Sequence, residues 1–166
     1  MSQIETNNPD FSLRIATPDD AGLALQFMQK LGAYQQMSDE ITSTEARLER
    51  LLREKLGEAV FGTYKGETVS FMYFNQTSSA FTGRSGLFID AVFVDESMRG
   101  HGLGKIMMEF LSKEALSRGA EFLEWGCLDW NSASIAFYQG LGSYCLDTMR
   151  IYRLSPDSLT EHAARF

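Results

Sequence analysis

At 166 residues, 44% of them hydrophobic and 22% charged, the chain has the make-up of one folded domain able to bury about two-thirds of its unfolded surface, which excludes disordered and fibrous classes. A net charge of -7 repels nucleic-acid phosphates and mildly favours cationic small molecules. No run of about 18 apolar residues offers a membrane span and residues 1–10 carry no signal-peptide pattern, so a cytoplasmic protein without nucleic-acid or membrane partners is expected.

Two cysteines, Cys127 and Cys145, and two histidines, His101 and His162, lack metal-ligand spacing, and no metal is expected. Cys127, in an apolar run, reads as a small core residue.

In chain order, Phe11, Leu13 and Ile15 alternate with Ser12, Arg14 and Ala16, predicting a strand over 11–16. Thr17-Pro18-Asp19-Asp20 then carries helix-start chemistry, with Thr17 as cap and Pro18 at the first helical position, and Ala24, Phe27, Met28 and Leu31 mark one face of a helix to about residue 34. Thr42 with Glu45 predicts the cap of a second helix, to about residue 55, with Leu48, Leu51 and Leu52 on one face. Asp39 and Glu40 lie between the helices, two adjacent acids that suit either a cationic substrate or a solvated turn.

Runs 59–64 and 68–74 flank Lys65-Gly66-Glu67 as a hairpin, residues 82–86 form the next turn, and 87–94 is a fourth strand. A third helix begins in a glycine loop, buries Leu103, Met107, Phe110 and Leu111, and stops at Gly119. Residues 121–128 supply a fifth strand, Asn131 or Ser132 caps a short helix to Gly140, and 141–146 with 149–154 predict a last antiparallel pair. Residues 1–10 and 155–166 are expected as loose or helical ends. This order defines an α/β fold of mixed α+β type in one domain, a central mixed sheet of about seven strands with helices on its faces.

The chemistry concentrates in the glycine loop, Arg99-Gly100-His101-Gly102-Leu103-Gly104-Lys105, directly after the fourth strand. Glycines there permit a sharp turn that points consecutive N–H groups at an anion above the helix start. Lys105 is followed by Ile106 rather than a hydroxyl residue, which excludes the P-loop, and no third correctly spaced glycine completes the dinucleotide pattern. At a helix start Lys105 is unfavourable without a bound anion.

Arg99-x-x-Gly102-x-Gly104 after a strand resembles the pyrophosphate loop of the GCN5-related N-acetyltransferases, and Trp130-Asn131-x-x-Ser134-Ile135-x-Phe137-Tyr138 is similar to a second motif of that superfamily. The first motif (F-x-L-R-x-A-T), L-x-x-Y-x-x-M over 31–37, and Thr44-Glu45 extend the likeness toward the diamine and polyamine acetyltransferases. The resemblance implies splayed fourth and fifth strands, acetyl-CoA as co-substrate, main chain of Phe93 and Val94 along pantetheine, loop 99–105 on the pyrophosphate, and Asn131, Ser134 and Tyr138 on the other side. It further implies Tyr138 as proton donor to sulfur, Asp90, where that subfamily tends to carry Glu, as base through water, and Tyr34, Asp39 and Glu40 toward the amine. Gln35 and Ser38 stand where relatives often carry acids, so the implied acceptor is a primary amine, diamine-like or lysine-like. A homodimer is the assembly common among such relatives. The alternative is a catalytically silent acyl-CoA-binding module that keeps the cradle.

Overall fold

Six strands lie side by side in chain order in the computed structural model, which describes residues 3–166: β1 (Ile4–Glu5), β2 (Phe11–Ile15), β3 (Glu58–Tyr64), β4 (Glu67–Ser79), β5 (Arg84–Val94) and β6 (Phe122–Trp125). Pairing is antiparallel as far as β5, and β6 joins it in parallel after a helical crossover. The chain forms two compact units, Met1–Gly126, which contains the sheet, and Cys127–Phe166.

Within the first unit, α1 (Ala21–Tyr34) and α2 (Glu45–Arg53) cover one face of the sheet. Ala24, Phe27 and Leu31 of α1 and Leu48 and Leu52 of α2 meet Phe61, Phe71, Ala91 and Phe93. Phe27 is the hub, its ring centroid 5.8 Å from that of Phe71, 5.9 Å from Phe61 and 6.3 Å from Phe93, within the range of favourable aromatic pairs. On the other face α3 (Leu103–Ser117) buries Leu103, Met107, Met108, Leu111 and Ala115; Phe110, expected inside, is only partly buried, since the buried face is centred on Met107 and Leu111 and turns toward Met108 and Ala115. Arg118, just past α3, lies over the Phe74 ring and donates to Glu58 at the start of β3 and to Glu114 one turn back, and these hydrogen bonds to carboxylates hold its guanidinium more firmly protonated than usual.

The first helix starts as its residues dictate. A 3-10 turn at Pro18–Asp20 leads into α1, and the Asp20 carboxylate accepts from the Thr17 N–H at 2.7 Å and from both Arg14 Nη atoms at 2.8 and 2.7 Å. The β3–β4 connection is a two-residue turn, Lys65-Gly66, with both residues at positive φ, which matches the twist of a tight hairpin.

Several expectations are corrected. The cap of α2 is Thr44, whose hydroxyl accepts from the Arg47 N–H at 3.3 Å; the spacing from Thr42 to Glu45 satisfied the capping-box pattern, but the helix begins only at Glu45. The hairpin of β4 and β5 is longer than predicted, its strands reaching Ser79 and Arg84. Of the supposed loose N-terminal end, Met1 and Ser2 lie outside the described residues while Ile4–Glu5 pairs with β2. Strand β6 ends at Trp125, so Cys127 lies beyond it and is exposed rather than in the core.

In the second unit Asn131 caps α4 (Ser132–Gly140) and Ser155 caps α5 (Pro156–Ala163). The last antiparallel pair is absent among the described residues: 141–154 contain no strand, which leaves six strands rather than seven. Tyr144, Ile151 and Tyr152 are 85%, 85% and 87% exposed, so the alternating pattern has no face to bury, and an isolated hairpin without such a face is marginal in water.

Two substitutions test this architecture. A β-carbon at Gly62, beside the register shift in β3, collides with the Ser70 hydroxyl and the Phe11 ring, so Gly62→Ala should lower the melting temperature by roughly 3–10 °C in calorimetry. The Arg14 guanidinium, with the Thr17 N–H, holds the Asp20 carboxyl below its usual range against the opposing effect of burial. That contribution is complete above the unfolded carboxyl value of about 4 and is lost as pH falls through the lower folded value. Asp20→Asn should therefore cost roughly 3–6 °C at neutral pH, a gap that closes in melts run toward about pH 3.

Candidate functional site

One extra residue in β5 shapes the site. Tyr73 pairs with Ala91 and Phe74 with Ile89, so Asp90 has no partner on β4 and forms a bulge. The insertion reverses the alternation: Ile89 falls on the face of Phe74, Ala91 on the face of Tyr73 and Phe71. Pairing of β5 with β6 also stops there, its last pair being Ile89 with Trp125. Beyond that point β5 continues to Val94 and, among the described residues, no strand pairs with it on that edge, so the two strands part.

Asp95 N–H donates to Val69 O at 2.8 Å, which fixes the parity of the open segment. By alternation the N–H and C=O of Phe93 turn toward β4, while those of Val92 and Val94 turn toward the opening. The Phe93 side chain lies in the aromatic core. Of the predicted pair, Val94 therefore presents its main chain at the opening, and Val92, which the sequence reading passed over, joins it.

The glycine loop follows. Gly100 and Gly102 have φ of 79° and 77°, and a β-carbon on either would meet nothing within 4 Å, so the space above the loop is open. Gly104 lies inside the first turn of α3. The N-cap of α3 is Gly102, which has no side chain to cap the leading N–H groups of Leu103, Gly104 and Lys105. His101, exposed, donates from Nδ1 to Arg99 O at 3.1 Å and so braces the turn. Lys105 lies 3.7 Å from Glu109, one turn along α3.

Arg99 is the distinctive charge. Its guanidinium lies 4.1 Å from the centroid of Tyr34 and 5.6 Å from that of Phe93, and Nε donates to Val94 O at 3.3 Å. Among the described residues no carboxylate forms an ion pair with it, in a chain with 22 acids. An unneutralised arginine beside an uncapped helix N-terminus is a seat for a diphosphate, and these residues fit that part of acetyl-CoA.

At the bulge Asp90 is exposed. Its charge reaches Tyr73, whose phenol is raised above its ordinary value by burial first and by Asp90 second, so this hydroxyl stays protonated at neutral pH as a donor near the carboxylate. The Tyr73 hydroxyl rests against Gly57, where any β-carbon would collide with it. Sequence reasoning missed Tyr73 because it read as one more aromatic in an apolar strand; only the bulge makes it Asp90's neighbour. Asp39 and Glu40 occupy an exposed 3-10 turn, Ser38–Glu40, hung from α1 by Met37 N–H to Gly32 O at 2.8 Å.

In the second unit, Asn131 is buried, and its side-chain oxygen accepts from Ser134 N–H at 3.2 Å. Tyr138, half-buried, stands one turn after Ser134 on α4; its carbonyl accepts from the Ser143 hydroxyl at 2.8 Å. The structure thus gathers Tyr34, Val94, Arg99 and His101 in one cluster, and Asn131, Ser134 and Tyr138 on one short helix. Among the described residues no group of histidine, cysteine and acidic side chains has the arrangement of a metal site.

Residues 24–142 match the model of the acetyltransferase (GNAT) family. The chain belongs to that family, and so to the acyltransferase class of enzymes. It is 30% identical over 111 residues to an L-ornithine N5-acetyltransferase of Arabidopsis thaliana, covering 67% of this chain and 46% of the relative, so it spans just under half of that protein's length. It is 25% identical to a thialysine N-epsilon-acetyltransferase of Bos taurus over 92% of this chain and 97% of the other. Among solved structures, a ribosomal-protein-alanine N-acetyltransferase from Brucella melitensis biovar Abortus 2308 superposes with a TM-score of 0.72 at 17% identity, over 87% of this chain and 99% of that one, a likeness of fold.

Because its β-carbon would enter open space, Gly102→Ala should cost only the strain of a left-handed alanine, about 1–2 kcal/mol or a few degrees of melting temperature. The same methyl stands where the anion is expected, so titration calorimetry should show CoA binding weakened about tenfold or more.

Proposed function

We propose that this chain transfers the acetyl group of acetyl-CoA to a primary amine of a small molecule, diamine-like or lysine-like, by direct attack in a ternary complex. The observation that carries the reading is the opening of β5 from β6 at Asp90, with an uncapped helix N-terminus and an unpaired arginine beyond it. The family match extends across residues 24–142 and so includes parts of both compact units, which supports one acetyltransferase domain over residues 1–166. Relatives named for ornithine and thialysine support an acceptor with an amine on a short chain.

When bound, acetyl-CoA supplies an acyl thioester, an electrophilic carbon with a sulfur leaving group. The chain's own residues then have separable tasks. The amides of Leu103, Gly104 and Lys105, with Arg99, take the diphosphate charge; Gly100 and Gly102 leave room for it, and His101 keeps the turn in shape. Main-chain groups of Val92 and Val94 offer an extended edge to the pantetheine arm.

An amine with a pKa near that of lysine, about 10.4, arrives protonated and must lose a proton before it attacks. Asp90, exposed at the bulge, accepts that proton through water, and Tyr73 stays neutral beside it as a hydrogen-bond donor. Asp39 and Glu40 attract the acceptor's second positive charge. Asn131 and Ser134, assigned through their motif, face the pantetheine amide, and Tyr138 gives a proton or hydrogen bond to the departing sulfur. A cytoplasmic enzyme acting as a homodimer, without nucleic-acid or membrane partners, completes the proposal.

The test is release of free CoA thiol from acetyl-CoA over a panel of diamines, ornithine, thialysine-type amino acids and aralkylamines. Amine-dependent release is expected, fastest with the short aliphatic amines; tight acetyl-CoA binding without turnover on any amine would instead make the chain an acyl-CoA-binding module. On the best acceptor, Tyr138→Phe should lower kcat at least about tenfold while changing acetyl-CoA affinity less than about threefold. Equal losses in both would remove Tyr138 as proton donor.

A further inference from the structure

Lys30 and Tyr34 are one helical turn apart on α1, so their side chains leave the same face. Lys30 Nζ meets the two Asp95 carboxylate oxygens at 2.8 and 3.1 Å, and the Tyr34 ring carries the Arg99 guanidinium at 4.1 Å. Asp95 and Arg99 flank the 3-10 turn Glu96–Met98 that begins the glycine loop. The last turns of α1 therefore grip the loop at both ends of that turn, and the same helix leads directly into the segment bearing Asp39 and Glu40.

We propose that Tyr34 is a positioning residue for the diphosphate-binding arginine rather than a wall of the amine pocket, an inference that rests on the proposed function. A carboxylate in its place would hold Arg99 equally still but would cancel the charge an anion needs. An aromatic face holds the guanidinium plane without neutralising it and leaves the in-plane N–H groups free. Nε is spent on Val94 O, which orients the fork, and both Nη atoms remain for the ligand. The face of Tyr34 that carries Arg99 is closed to an incoming ammonium group, since two cations on one ring face repel. With Lys30 holding Asp95, the stack sets the loop in its binding shape before the ligand arrives.

The experiment measures acetyl-CoA affinity by calorimetry and amine KM by steady-state kinetics on the full chain. Tyr34→Leu, which keeps apolar bulk and loses the π face, should weaken acetyl-CoA about three- to tenfold and leave amine KM at saturating acetyl-CoA within about twofold. Tyr34→Phe, which keeps the ring, should restore acetyl-CoA affinity to within about twofold of the parent. Arg99→Lys keeps charge without the flat stacking surface, and adding Tyr34→Leu to it should weaken binding no further. The proposal is overturned if Tyr34→Leu binds acetyl-CoA as the parent does, if it raises amine KM instead, or if Tyr34→Phe is as impaired as Tyr34→Leu. Should Tyr34→Leu not fold, Tyr34→Phe carries the test alone, and a loss of acetyl-CoA affinity in it well beyond twofold would overturn the proposal as well. If the parent itself does not bind acetyl-CoA, the proposed function fails and takes this inference with it, whereas normal parent binding with an unaffected Tyr34→Leu rejects the inference alone.

Discussion

The site depends on a miscount. Strand β5 spends two residues, Asp90 and Ala91, where β4 spends one, and the mismatch falls where β6 ceases to pair. A regular ladder would keep Ile89 and Ala91 on one face and leave no reason for the neighbouring strand to depart. With the extra residue, Ala91 and Phe93 join the Phe27 aromatic cluster beneath α1, Ile89 serves the opposite core, and the polar residue is left between them where it meets solvent. Core packing on both faces thereby fixes the bulge, and the bulge fixes the position of Asp90.

The glycine loop was legible because its demands are local. Positive φ at Gly100 and Gly102 and a helix opening at Leu103 are what glycines between a strand and an amphipathic run require. The first helix was legible for the same reason, since Thr17, Pro18 and Asp20 specify their own turn. The bulge was not, because Ile89-Asp90-Ala91 has the alternation of an ordinary strand and the mismatch exists only relative to β4. Tyr73 was hidden with it. The cap of α2 was read at Thr42 because Glu45 three residues on completes the capping-box spacing, whereas the helix begins only at Glu45 and takes Thr44 as its cap.

Residues 141–154 show the opposite failure. Their alternation is a real local property, yet strand formation needs a neighbour to pair with and a face to cover, and neither is specified within those residues. Cys127 teaches a related lesson: an apolar setting in sequence did not place it inside, because β6 ends two residues earlier, at Trp125.

Arg118 has a bearing on the far end of its helix. By tying the C-terminal end of α3 to Glu58 and to its own Glu114, it turns the helix into a rod anchored at its base on the sheet. The dipole at the tip is then aimed in advance, and a negative group arriving there is met by oriented amides that need not rearrange. The orientation of those amides is thus set during folding, by a residue about 22 Å of helix away along the axis.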